Sequence, residues 1–247
     1  MPIRQRFDRL LLAAVFLHLA IGLAILASAS WLIATERYGR PGSYFFTWQA
    51  ATGMIGLGLL VICMHLRKSL LVDRRLIAAA LGSSWLLMLV AYAQGPVAAT
   101  HRWVSIGGLS LQPSVLARVA LILVSAILLV EAHGECWPVR RLVVLAGLCI
   151  ATSGVVALQP DLGSAALMLV TVGAMAFVSG MPVRLLAAPA AFGVVALLVA
   201  IVTSPYRMAR VRAFFDPDAA AAASWQSYQS LIAIGSGGVF GLSLIHI

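Results

Sequence analysis

Two charged residues stand out against apolar surroundings. Arg118 lies inside the run "SVLARVALILVSAILLV", and Asp161 interrupts "ALQPDLGSAAL", with no other charge from Val143 to Val183. An ion at the bilayer centre costs about 2.5–3.5 kcal/mol on insertion scales, so such residues face a partner or a wet cavity. A salt bridge between Arg118 and Asp161 is the economical arrangement. A structural ion pair or a snorkelling arginine is one reading. The other is an outward polar cavity that holds a charged head group. Arg118 is the sixth residue counting from Pro113, so it sits about 7–8 Å below the start of its helix.

Further candidates lie on either side of this pair. In "THRWVSIGGLSLQPS", Arg102 beside Trp103 reads as an interface pair, indole at head-group level and guanidinium free to meet phosphate, or as an ordinary anchor. The "SIGGLSLQPS" that follows reads as a compact, turn-rich loop. Arg207, Arg210 and Phe214 fall at i, i+3, i+7, an amphipathic helix suited to the outer leaflet, or else a solvated basic connector. "GSGG" at 235–238 follows no predicted strand, so it reads as a corner and not as a phosphate loop. The histidines at 18, 65, 101, 133 and 246 show no ligand spacing. Cys63, Cys136 and Cys149 show no CxxC spacing and suggest neither a disulfide nor a zinc site.

The elements that carry these residues are membrane helices. The chain has 247 residues, 62% hydrophobic and only 10% charged, and its mean hydropathy is +1.01. A soluble domain carries roughly a quarter charged residues. Net charge is +9, yet the basic residues are scattered, which fits membrane topology and excludes a nucleic-acid face. A spanning helix needs about 20 apolar residues. Charges at Arg9 and Glu36, Arg40 and Arg67, and Arg75 and Arg102 bound the first three. The fourth opens at Gln112-Pro113, where proline suits the first turn, and ends at Glu131. Arg141 to Arg184 is too long for one span. Gln159-Pro160-Asp161 divides it, with proline disfavouring helix before it and aspartate capping the next helix. The fifth span therefore ends near Leu158 and the sixth starts near Leu162. A seventh runs from about Leu185 to Thr203, with Pro189 as a kink position. Gly53, Gly56 and Gly58 in the second span read as small residues that admit a neighbouring helix.

With the N-terminus cytoplasmic, ten arginines and lysines lie inside and six outside, with Arg118 within a helix. This bias supports that orientation. The expectation is an all-α, polytopic membrane protein: residues 1–203 a bundle of seven transmembrane helices, residues 204–247 the start of an outer loop. Asp161 then lies at the outer face. The first span reads as retained, not as a cleaved signal.

Three stretches together carry a resemblance: "HRWVSIGGLSLQPSVLAR", "LQPDLGSAALML" and "YRMARVRAFFDPDA…SWQSYQSLIAIGSGGVFG". They resemble the SEDS family (shape, elongation, division and sporulation), the FtsW- and RodA-type proteins of bacterial cell-wall synthesis, and "SWQ…QSLIAIGSGG" is closer to the division type. The resemblance implies a ten-span peptidoglycan glycosyltransferase of the bacterial inner membrane. It polymerises lipid II at the outer face, beside a class B penicillin-binding protein and the division or elongation machinery. It also implies that Arg118 and Asp161 line a central cavity, that Arg102, Arg207 and Arg210 contact pyrophosphate or head group, and that Trp103, Gln112, Ser114 and Gln229 belong to the same substrate site. No organic cofactor is implied; a divalent cation is left open. Two departures stand out. Val115 occupies the place of the family's glutamate in QPSE. After "GGVFG" the chain reads "LSLIHI", unlike the family, so a truncated or misjoined frame without the presumed catalytic aspartate is expected, and with it an inactive chain. A lipid-precursor flippase and a non-catalytic scaffold share the same composition and stay open.

Overall fold

The computed structural model describes residues 8–95, 101–106, 109–134, 137–215 and 221–238. It is helical almost throughout: α1 Arg9–Glu36, α2 Tyr44–His65, α3 Lys68–Leu71, α4 Arg74–Ala93, α5 Pro113–Gly134, α6 Val139–Leu158, α7 Leu162–Val178, α8 Val183–Val202, α9 Pro205–Phe215 and α10 Ala221–Gly237. One hairpin interrupts the helices, β1 Val104–Ile106 and β2 Leu109–Leu111. The seven expected apolar helices are α1, α2, α4, α5, α6, α7 and α8. Six of them are long and apolar enough to cross a membrane. The remaining one, α7, has 17 residues, at the short end of the roughly 17–25 that a bilayer accepts.

Local chemistry sets the boundaries. Aspartate opens three helices. Asp8 accepts from the amides of Leu10 and Leu11 at 2.9 and 3.1 Å. Asp73 accepts from Arg75 and Leu76 at 2.8 and 3.4 Å, and Asp161 accepts from Ser164 at 3.1 Å. Each satisfies amides that the first turn leaves without a helical partner. Proline begins α5 and α9 and occupies the cap of α6 and α8. Pro189 lies within α8, which runs on through it from Val183 to Val202.

The helices group into two compact units, one containing α1, α2 and α10 and the other running from α3 to α9. In the first, the turn after α1 closes on Trp31. A Cβ at Gly42 would come within 2.3 Å of the indole, so any larger residue there must displace the Trp31 ring. Gly53 approaches Leu19, where a Cβ would meet a methyl at 3.3 Å. Gly56 and Gly58 would meet nothing within 4 Å, so the small-residue contact expected of all three rests on Gly53.

In the second unit a core forms where α4, α5, α6 and α7 meet, around Met88, Leu121, Val156 and Met168. Small polar residues sit inside it: Ser84 donates to the Leu81 carbonyl at 2.7 Å, and the Trp85 indole donates to Thr152 at 3.3 Å. By contrast α2 and α8 bury none of their residues. Isoleucines, leucines and valines stand exposed along α1, α2 and α8. Such continuous apolar surface requires lipid to cover it, while each helix satisfies its own backbone. The chain is a multi-pass helical membrane protein.

Candidate functional site

The site is built on the turn between α6 and α7. Helix α6 stops at Leu158, and the amides of Gln159 and Asp161 both donate back to the Val156 carbonyl, at 3.1 and 3.3 Å. Gln159 turns inward, 2% exposed, and its amide nitrogen donates to the Met88 carbonyl of α4 at 2.9 Å. A buried amide left without partners would cost about 1–3 kcal/mol, so this bond anchors the turn to α4. Asp161, itself buried, points its carboxylate the other way. One oxygen caps α7; the other accepts from the Gln112 amide at 3.5 Å and lies 3.8 Å from an Arg102 guanidinium nitrogen.

The β1–β2 hairpin explains how Arg102 and Gln112 come to share one carboxylate. Its strands pair Val104 with Leu111, Ser105 with Ser110 and Ile106 with Leu109. Arg102 precedes the first strand and Gln112 follows the second, so closing the ladder brings both to Asp161. Arg102 also donates to the Gln159 carbonyl at 3.2 Å and to the Pro160 carbonyl. One arginine thus binds the whole Gln-Pro-Asp turn. The segment expected as a compact, turn-rich loop is this hairpin. Its alternating Val-Ser-Ile and Leu-Ser-Leu around Gly107-Gly108 is a hairpin signature; the two glycines lie outside the described residues.

The expected Arg118–Asp161 ion pair is not formed. Asp161 pairs with Arg102. Among the described residues Arg118 makes no ion pair, and its buried Nε has no hydrogen-bond partner. The reason is depth. Asp161 sits in a turn at the helix ends, level with Arg102 and Gln112, whereas Arg118 lies about 7–8 Å along α5. Ser114, one helical turn before Arg118, is buried. Trp103 is half-buried between Arg102 and β1, and Val115 is exposed.

The remaining candidates hold other contacts. Arg207 donates to the Ala200 carbonyl of α8 at 2.9 Å, satisfying a last-turn acceptor at the negative end of the helix dipole. Arg210 lies over the Tyr206 ring at 5.1 Å. Both belong to α9, whose Phe214 and Phe215 are exposed, as an interfacial helix requires. Gln229 is exposed on α10, in the other unit. Two cavities of about 370 and 390 Å³ open elsewhere, around Arg74 and Leu128; neither is lined by Arg118 or Asp161. Among the described residues no three His, Cys, Asp or Glu side chains gather as metal ligands. His18 and His65 approach carbonyls in their own helices, and His101 approaches the Tyr92 carbonyl.

Residues 8–247 match the sequence profile of the cell cycle protein family FtsW/RodA/SpoVE. The chain belongs to this family. It is 33% identical over 242 residues to a probable peptidoglycan glycosyltransferase FtsW of Legionella pneumophila, covering 96% of this chain and 61% of that protein. It is 34% identical over 251 residues to the protein of the same name from Tolumonas auensis, covering 96% and 62%. A crystal structure of a mutant of the rod shape determining protein RodA from Thermus thermophilus superposes with a TM-score of 0.60. Identity there is 28%, over 81% of this chain and 60% of that one. The chain thus spans about three-fifths of the length of the curated FtsW relatives it matches. The FtsW/RodA/SpoVE assignment agrees with the resemblance carried by the Gln-Pro-Asp turn and the stretch from His101 to Arg118.

Proposed function

We propose that this chain forms part of a peptidoglycan glycosyltransferase that polymerises lipid II at the outer face of the bacterial inner membrane during septal wall synthesis, beside a class B penicillin-binding protein. In that reaction the 4-hydroxyl of the incoming sugar attacks C1 of the growing chain. The bond from C1 to the undecaprenyl pyrophosphate breaks, and the hydroxyl proton passes to a general base. Developing negative charge on the pyrophosphate calls for fixed cations. The observation that supports this reading is Arg118, a guanidinium at membrane depth whose buried Nε has no partner. Close by in sequence, Arg102 is held by the Gln-Pro-Asp turn.

Asp161 is the wrong group for the base. Its oxygens are already engaged by the Ser164 amide, the Gln112 amide and Arg102, so the carboxylate is committed to holding the turn. Its role in this proposal is to hold Arg102 and the start of α7. Arg207 and Arg210 belong to the same proposal as head-group contacts from α9. The relatives named FtsW support the septal assignment.

Lipid II binding by the purified chain tests the proposal. Arg118→Gln is expected to weaken binding at least tenfold. Equal binding by the variant overturns the assignment of Arg118. Transfer of labelled lipid II across proteoliposomes without extension favours the flippase instead.

A further inference from the structure

Two cavities meet at the arginine-rich end of α4, α5 and α6. One, about 370 Å³, is an apolar slot walled by residues including Ile77, Leu81, Gly82, Trp85, Leu128 and Leu148. The other, about 390 Å³, is lined by Arg74, Leu128, Glu131, Arg140, Arg141 and Val144. Arg74, Leu128 and Val144 border both, so a charged mouth leads directly into an apolar interior.

The mouth carries excess positive charge. Glu131 pairs with Arg74, and its second oxygen lies 3.9 Å from the Arg141 Nε. Arg140 makes no ion pair among the described residues and is exposed. Among the described residues that line the mouth, three guanidiniums stand against one carboxylate, a formal charge of about +2. The depth is equally specific. From Arg74 to Trp85 α4 rises about 16–17 Å, half of a hydrocarbon core about 30 Å thick. A Cβ on Gly82 would meet nothing within 4 Å, so the slot is open at that level.

We propose that this double cavity binds an anionic phospholipid, with its phosphate between Arg74 and Arg140 and one acyl chain laid along Leu81 and Trp85. Basic pockets between transmembrane helices on the cytoplasmic side are suited to anionic head groups, and the positive-inside bias puts this end there. Free phosphate matches the mouth but has nothing to fill the slot. A zwitterionic lipid matches the slot but leaves the excess charge unanswered. A transmembrane helix about 10 Å across is too wide to enter and could only cover the opening.

The experiment is native mass spectrometry of the purified 247-residue chain in neutral detergent, titrated with phosphatidylglycerol or phosphatidylethanolamine of matched acyl chains. One saturable phosphatidylglycerol adduct is expected, unaffected by millimolar inorganic phosphate. Each arginine removed is expected to weaken it about fivefold, so R74Q/R140Q loses about 25- to 30-fold and R140Q alone about fivefold. Gly82→Phe fills the slot, keeps every arginine and is expected to abolish the adduct, with helical content monitored by circular dichroism. R140Q, at an exposed site with no ion pair among the described residues, decides the head-group claim should the double variant fail to fold. Equal retention of phosphatidylethanolamine overturns the proposal, as does unchanged affinity in R140Q. A chain dimer that carries no lipid also overturns it, by making a second copy the occupant.

Discussion

The Arg102–Asp161 contact yields a prediction sharp enough to separate two arrangements of the same charges. At 3.8 Å, two unit charges attract by about 1 kcal/mol in bulk water and about 4 kcal/mol at an effective dielectric of 20. The side chains are 29% and 12% exposed, so the medium lies between these limits, and desolvation offsets part of the gain. A net coupling of about 1–2 kcal/mol is expected. Asp161→Asn keeps a carbonyl oxygen for the Ser164 amide, so the cap of α7 survives and mainly the charge is lost. Arg102→Gln removes the charge together with the donors to the Gln159 and Pro160 carbonyls, and is expected to cost more, about 2–3 kcal/mol.

Equilibrium unfolding of the two single variants and the double variant in mixed micelles measures the coupling. The double variant should lose about 1–2 kcal/mol less than the sum of the singles. A parallel cycle between Arg118→Gln and Asp161→Asn should be additive within about 0.3–0.5 kcal/mol, as for residues without a shared contact. Additivity in the first cycle and coupling in the second would refute the pairing described above and restore the arrangement expected from the sequence.

Three other outcomes follow from single contacts. Arg118→Gln should change stability by no more than about 0.5 kcal/mol, because the substitution breaks no ion pair among the described residues; a fall in unfolding midpoint like that of Arg102→Gln would show that the side chain is structural. Gly42→Ala forces a methyl onto the Trp31 indole and should cost about 1–3 kcal/mol, read as a lower melting temperature with altered tryptophan fluorescence; an unchanged melt would contradict the close approach. Arg207→Ala should cost about 0.5–1 kcal/mol and raise amide exchange in the last turn of α8, and exchange unaltered there would mean that the arginine does not cap it.

The helices were legible because lipid makes their signal coarse. Charges mark where apolar runs must stop, and Gln159-Pro160-Asp161 could divide a long run because proline and an N-capping aspartate act through nearest neighbours. The three aspartate caps follow the same local rule. The hairpin was written just as locally, in three alternating residues on each side of two glycines. So short a ladder competes with the general tendency of glycine-rich connectors to form turns, which is why the stretch reads as a loop.

Which arginine Asp161 takes could not be read in this way. Arg102 and Arg118 are both cations in the stretch around the hairpin, and sequence separation favours neither. The choice depends on the ladder register, which sets Arg102 and Gln112 side by side at the level of the turn, while the rise of α5 carries Arg118 below it. Once Arg102 neutralises Asp161, Arg118 has no carboxylate partner among the described residues, and a guanidinium at membrane depth costs free energy. A chain that only needed a stable bundle would gain from an apolar residue at that position. That cost is the physical ground for the proposal that Arg118 binds an anion such as a diphosphate-linked lipid. The same logic at the opposite end, where Arg140 also lacks an ion pair among the described residues, points to phospholipid instead, because there the neighbouring slot is one leaflet deep and lined for an acyl chain.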